Sequence, residues 1–185
     1  MELRAEIMTE ADVMRSLARI THEILERDRG AEGIVLLGIR RRGLPLARLI
    51  AEYIERFDGA KVPVGYIDIT RFRDDSRAPE GEEEAGSTHI PCDINGKCAV
   101  IVDDVIFTGR TARAAIEAVF AYGRPALIQL AVLCDRGHRE LPIRPDFVGK
   151  NIPTSRSERV FVTVPETDGE PLSVKLYADD QSLKD

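Results

Sequence analysis

The chain has no tryptophan, few aromatics of any kind, only three cysteines, and no apolar run longer than a few residues. Cys92, Cys98 and Cys134 are odd in number and lack metal-ligand spacing, so they read as reduced, structural thiols rather than as a disulfide framework or a zinc centre. The short apolar runs fall far below the roughly 20 residues that a membrane-spanning helix needs. The opening MELRAEIMTEAD is broken by charge where a secretory leader would carry its apolar core, and a cytoplasmic location is expected. Positive charge is not in excess either: 26 Lys and Arg against 32 Asp and Glu leave a net charge of −6. That excludes a protein coated in cation for nonspecific nucleic-acid binding, but it leaves room for a local basic face. What is present, 43% apolar and 31% charged residues in a chain of 185, suits one globular domain over residues 1–185.

Hydrophobic spacing orders that chain. Val13, Leu17, Ile20 and Ile24 share one face of a helix expected over 10–28, with Thr9 and Asp12 as a capping box and Gly30 as the stop. The run IVLLGI at 34–39 suits a fully buried strand. A polar turn at 40–43 leads into a second helix at 44–57, where Pro45 occupies the tolerated first turn. A strand is expected at 62–69. The polar stretch 70–90 that follows, with Glu80, Glu82, Glu83 and Glu84, reads as a mobile lid. A short strand at 99–102, a helix at 111–121 and a strand at 127–134 complete an alternation that implies an α/β fold, its sheet mainly parallel and flanked by helices. After Asp135 the chain turns to polar, proline-containing loops. Two last strands, 159–164 and 173–177, are expected to pair as an antiparallel hairpin beside the main sheet.

The chemistry is concentrated in one segment, 100–111. Ligands of open α/β sheets bind beyond the carboxyl ends of the strands, and Asp103 and Asp104 directly follow the strand expected at 99–102. Ionised carboxylates only accept hydrogen bonds, and the vicinal hydroxyls of a ribose can donate them. Val105, Ile106 and Phe107 lead to Thr108, Gly109, Arg110 and Thr111, which open a helix whose first amides are unsatisfied and whose end carries positive partial charge. Gly109 lets backbone approach a phosphate closely, and the two threonine hydroxyls add donors. Carboxylates for a ribose followed by an amide cradle for its 5-phosphate make one continuous reader. An Asp-Asp pair alone would read equally well as a strand-ending, helix-capping turn; the longer pattern is far more specific. No lysine stands where a Walker loop requires one.

The pattern from Ala99 to Thr111 resembles the phosphoribosyl pyrophosphate signature of the type I phosphoribosyltransferases. The resemblance extends over nearly the whole chain and is closest to those members that regulate bacterial pyrimidine operons by attenuation and also act as uracil phosphoribosyltransferases. It is carried by DITRFRDD at 68–75, by GRPALIQLAVL at 123–133, by Ile20, Thr21, His22 and Glu23, and by LAVLCDRGHRELPIRPDFVGKNIPTSRSE at 130–158. The match is weakest at 76–88 and after Val164. It implies that residues 135–185 include a hood over the base. The turn at Arg40, Arg41, Arg42 and Gly43 would hold the leaving diphosphate, Arg42 by its side chain and Arg41 through its backbone. The family often has lysine or histidine, then threonine, at the first two positions, and this chain has two arginines. Taken without the family, such a turn could equally be a solvated cluster, although arginine's forked donors suit phosphate oxygens. Arg73 would swing over the same diphosphate, Asp135 and Arg136 would touch diphosphate, magnesium or the base, and backbone around Val160 would read uracil. Asp103, Asp104 and Arg136 are the expected catalytic set, with Mg²⁺ held mostly by substrate and Asp135 as its one protein ligand.

The resemblance also implies binding of UMP or UTP and of pyrimidine leader RNA, by a homo-oligomer of two or more chains. Its RNA contacts would be Arg19, His22, His138, Arg139, Arg144, Lys150, Arg156 and Arg159, clustered on one face. Taken alone, His22 is more simply a solvated helix-surface histidine, and the family's threonine one turn before it is Ala18 here. No nucleophile–base pair of the hydrolase kind is present, so no covalent enzyme intermediate is expected. The alternatives are an attenuator with little enzyme activity and a phosphoribosyltransferase for another base, such as hypoxanthine or orotate.

Overall fold

A computed structural model describes residues 1–74 and 88–178; the acidic run at 80–84 lies outside the described residues. Five strands form a wholly parallel sheet in the order β3-β2-β4-β5-β6: β2 (Ile34–Ile39), β3 (Val64–Ile67), β4 (Cys98–Ile106), β5 (Leu127–Asp135) and β6 (Phe147–Asn151). Helices α1 (Glu10–Asp28) and α2 (Gly43–Asp58) pack on one face and α3 (Arg110–Tyr122) on the other. Every residue of β2 is buried, as expected for a strand covered on both sides. Leu36 and Val100 join the core under α1 and α2, and their neighbours Leu37 and Ile101 join the core under α3.

Helix α1 has the expected bounds. The Thr9 hydroxyl accepts from the Asp12 backbone while the Asp12 carboxylate accepts from the Thr9 backbone, and the chain leaves the helix through a left-handed Arg29 one residue before Gly30. Among the described residues no helix is long and apolar enough to cross a membrane.

Three expectations are corrected. Strand β4 does not stop at Val102: it runs through the acidic pair to Ile106, because β5 extends alongside it and pairs Asp103 with Val132 and Ile106 with Asp135. Strand β2 pairs with it only as far as Val102, so the acidic pair lies beyond the β2 ladder. The segment after Asp135 is not all loop, since β6 adds a fifth parallel strand. The last two strands, β7 (Glu158–Thr163) and β8 (Ser173–Ala178), do pair antiparallel, with Val162 opposite Val174. They are joined by the short helix α4 (Pro165–Asp168), and β8 also pairs with β1 (Glu2–Met8), so the expected hairpin is a three-stranded sheet, β1-β8-β7. Val162, Val164, Leu172 and Val174 bury that sheet into the core shared with α1 and α2.

Candidate functional site

The turn between β2 and α2 lies against β4 at Val102, next to the acidic pair, with no room for a side chain at two glycines. A Cβ on Gly43 would stand 2.3 Å from the Val102 carbonyl oxygen, and one on Gly38 would stand 2.4 Å from the Leu44 backbone. This close approach brings Arg40, Arg41 and Arg42 to the sheet edge at which β4 delivers Asp103 and Asp104. The peptide between Arg40 and Arg41 is cis. Arg40 is drawn aside, 3.7 Å from the Asp68 carboxylate and 5.4 Å over the Tyr66 ring. Arg41 is exposed, and Arg42 is half-buried as the N-cap of α2.

Asp103 and Asp104 satisfy the backbone of their own strand end. Asp103 Oδ1 accepts from Asp104 N at 2.9 Å, and Asp104 Oδ1 accepts from Val105 N at 2.8 Å. Each therefore keeps its second carboxylate oxygen clear of these bonds. Burial pushes the Asp103 carboxyl well above the usual carboxylate range, the neighbouring Asp104 charge pushes it further, and the positive charge of Arg73 opposes both. Asp104 is also raised by burial, against the pull of its hydrogen bonds and of Arg42. Both rises come first from burial, and a ligand that brings hydroxyl donors and a cation to the pair would favour its ionised form.

From Ile106 the chain turns through Phe107 and Thr108 to Gly109, the N-cap of α3, at φ +94°, a conformation that favours glycine. The N-cap glycine offers no side-chain cap and the first turn carries no acidic residue; of the opening amides, Arg110 N makes a long bond to Thr108 Oγ1 at 3.4 Å. Arg73, Asp103, Phe107, Thr108, Gly109 and Thr111 are among the residues lining a cleft of about 310 Å³ at this point. The segment after β5 closes its far side, where the amides of Glu140 and Leu141 both donate to the Thr108 carbonyl, at 2.9 and 3.1 Å.

The arginine of the motif is already engaged. Arg110 donates from Nε to Glu140 at 2.9 Å and from Nη1 to Asp74 at 2.8 Å, so its side chain ties the two walls of the cleft together, while its backbone N–H makes only the long bond to Thr108 Oγ1. Phe107 is an anchor for the chain beyond β5: the Arg136 guanidinium lies 4.1 Å over its ring, and His138 meets its edge at 5.8 Å. Arg136 is buried, which lowers its pKa, and it donates to Thr154 Oγ1 at 3.2 Å and to the Ser155 carbonyl at 3.0 Å. Asp135, at the end of β5, accepts from Gly137 N at 2.9 Å and is ion-paired with Arg139. Val160 lies half-buried in β7, packed against the core that includes Val162.

The residues expected to contact RNA differ in what they touch. Arg19 donates to the Val148 and Gly149 carbonyls at 3.0 and 2.6 Å, and Lys150 reaches the Ile7 carbonyl at 3.4 Å, so both lie where α1 flanks β6. His22, also on α1, stacks on Phe57 at 4.1 Å between centroids. Arg144, Arg156 and Arg159 are exposed. His138 and Arg139 are turned inward instead. His138 Nε2 is 2.6 Å from the Thr154 carbonyl, and Arg139 donates to the carbonyls of Phe107 and Ile143 at 2.8 and 2.9 Å.

Sequence reasoning missed Glu140 and Asp74, the partners of Arg110, and Asp168, which grips Arg42. No local pattern marks them, because each meets its arginine only through the fold. Among the described residues no group of three or more His, Cys, Asp or Glu is placed to hold a metal ion.

Residues 5–168 match the family model described as "Phosphoribosyl transferase domain". The chain is 56% identical over 170 residues to the "Bifunctional protein PyrR" of Thermus thermophilus, covering 92% of this chain and 94% of that protein. It is 52% identical over 177 residues to the protein of the same name from Clostridium perfringens, covering 96% and 99%. Among solved structures, a hypoxanthine phosphoribosyltransferase from Staphylococcus aureus superposes with a TM-score of 0.70 at 17% identity, covering 100% of this chain and 96% of that one. One from Trypanosoma cruzi, in complex with the product IMP, superposes with a TM-score of 0.71 at 18% identity, covering 96% and 92%. At such identities the superpositions speak for the fold alone.

Proposed function

The chain belongs to the phosphoribosyl transferase family and, within it, to the PyrR proteins, and from that premise we propose that it joins uracil to phosphoribosyl pyrophosphate, giving UMP and diphosphate, and that uridine nucleotides in the same site govern its binding to pyrimidine leader RNA. The observation that carries the enzyme reading is the course of β4 into α3. Two carboxylates with raised pKa, Asp103 buried and Asp104 half-buried, lead straight into the amide turn at Gly109, so a ribose ring and its 5-phosphate fit side by side.

In this reading the ring is held by Asp103 and Asp104, and the phosphate lies against the backbone of Val105, Ile106, Phe107, Thr108, Gly109, Arg110 and Thr111 and the two threonine hydroxyls. Uracil attacks the anomeric carbon from the face opposite the departing diphosphate, through a transition state with oxocarbenium character. Arg41, Arg42 and Arg73 take up the charge that grows on the leaving group. Arg136, fixed between Phe107 and the Thr154–Ser155 backbone, borders the base, and Val160 offers its backbone to the uracil edge. The donor set suits Mg²⁺ carried on substrate oxygens and water, because Asp135 is committed to Arg139 and would reach a metal only by releasing it. When bound, the ion neutralises the leaving diphosphate. Residues 135–178 act as a hood with terminal strands in the one domain, and the expected lid at 70–90 lies mostly outside the described residues.

For regulation, Arg19, His22, Lys150, Arg144 and Arg156 remain at the surface for RNA phosphates, while the inward bonds of His138 and Arg139 make those two reporters of the site rather than direct contacts. The protein works in the cytoplasm as a dimer or higher oligomer. Supplying magnesium, phosphoribosyl pyrophosphate and a panel of bases is expected to yield UMP from uracil; a purine nucleotide formed instead would contradict the assignment. Gel retardation of pyrimidine leader RNA is expected to tighten with UMP and to weaken steeply with salt. No shift at micromolar protein would leave the enzyme as the sole function.

A further inference from the structure

Arg42 is held by a residue 126 positions away. Its Nε donates to Asp168 Oδ2 at 3.1 Å and its Nη2 to Asp168 Oδ1 at 2.6 Å, a two-pronged fork. Asp168 is itself fixed, because its Oδ2 also accepts from the Val164 backbone at 2.8 Å. Helix α4, which carries it, is pinned to α2 a second time by Arg48 and Glu166 at 2.9 Å. Left-handed Gly169 then closes α4 by donating to the Pro165 carbonyl at 3.1 Å. On its other side Arg42 acts on Asp104: each charge favours the ionised form of the other. The fork occupies Nε and Nη2 and leaves Nη1, with its two N–H donors, outside it.

We propose that Asp168 is a positioning residue, which orients Arg42 so that Nη1 meets the leaving diphosphate. The inference rests on the proposed phosphoribosyltransferase reading and deepens it. A free arginine loses side-chain freedom when it engages a phosphate; here that freedom is lost on folding, so binding does not bear it again. The arrangement parallels the carboxylates that orient histidines at metal centres, where loss of the orienting group weakens binding roughly 10–100-fold. It also ties the diphosphate loop to the sheet that bears Val160, so the base side and the leaving-group side share one support. The opposite role, a carboxylate that occupies Arg42 until diphosphate displaces it, predicts the reverse effect on affinity.

The test compares the natural chain with Asp168→Asn, Arg42→Lys and the double variant, using initial rates with magnesium, phosphoribosyl pyrophosphate and uracil, and calorimetric titration of magnesium diphosphate. Asp168→Asn is expected to lower kcat/KM for phosphoribosyl pyrophosphate and the affinity for diphosphate about 10-fold, with KM for uracil within about two-fold. The double variant is expected to be no worse than Arg42→Lys alone, because Asp168 acts through Arg42. Glu166→Gln loosens α4 without touching the fork and is expected to keep the natural KM; an equal loss there would mean that only the packing of α4 matters and would overturn the proposal. Should Asp168→Asn fail to fold, Asp168→Glu shifts the fork while keeping the charge, and natural diphosphate affinity in that variant would overturn it as well. Unchanged or tighter diphosphate binding in Asp168→Asn, or losses that multiply in the double variant, would do the same. If the natural chain binds no phosphoribosyl pyrophosphate, the underlying reading falls, and this one with it.

Discussion

Asp103→Asn is expected to melt above the natural chain at neutral pH and to lose at least about 100-fold in kcat, the scale of a misplaced reacting group. Both effects have one cause. The Asp103 carboxyl is buried beside Asp104 and its pKa lies above the usual range, so holding it ionised opposes folding. Asparagine keeps the oxygen that accepts from Asp104 N at 2.9 Å and carries no charge. The gain has a defined pH dependence. Below the ordinary carboxylate range the group is protonated in the folded and unfolded chains alike, and the substitution changes little. As pH rises, the unfolded chain releases the proton first, so the natural protein loses stability until its folded carboxyl also ionises. The advantage of Asp103→Asn is therefore absent near pH 3 and grows as the pH rises from the ordinary carboxylate range toward neutrality, to about 1–2 kcal/mol, the usual gain from relieving a destabilised functional site. Thermal melts across pH check it, and a stability difference independent of pH would contradict it.

Gly43→Ala is expected to cost about 3 kcal/mol, the upper part of the usual overpacking range, and to lower the melting temperature by roughly 6–12 °C for a chain of this size. The added Cβ would meet the Val102 carbonyl oxygen at 2.3 Å, and backbone on both sides of the contact leaves nothing flexible to yield. Glycine is required here for proximity, since Gly43 is not among the glycines with positive φ. Because the same contact seats Arg42 beside the acidic pair, variant that remains folded is expected to show a raised KM for phosphoribosyl pyrophosphate. Melting within 2 °C of the natural chain would show that the turn is not pressed against β4 in solution.

Where hydrophobic period and end signals agree, the sequence is a sufficient guide: α1 and β2 have the expected bounds. Strands β1 and β6 escaped for physical reasons. Strand β1 is mostly exposed and belongs to an outlying sheet, so ELRAEIM carries little burial pattern. Strand β6 is five residues long with a glycine inside it, ordinarily a strand breaker, yet a Cβ on Gly149 would stand 2.4 Å from the Leu133 carbonyl oxygen, and glycine is what lets β5 come so close. In sequence the acidic pair marks a strand end, because two carboxylates rarely sit within a parallel strand; the longer β5 beside them carries the pairing on. At the site, the ribose-phosphate segment is contiguous and could be read directly. The links of Arg42 to Asp168, of Arg110 to Asp74 and Glu140, and of Arg136 to Phe107 exist only in the folded chain.

The central claim is that residues 100–111 hold a ribose 5-phosphate group, and calorimetric titration with magnesium and phosphoribosyl pyrophosphate tests it most directly. The natural chain is expected to bind, and a folded Asp104→Asn, Thr108→Ala variant is expected to show no measurable binding, having lost a ribose acceptor and a phosphate donor together. Equal affinity in the two proteins would contradict the account.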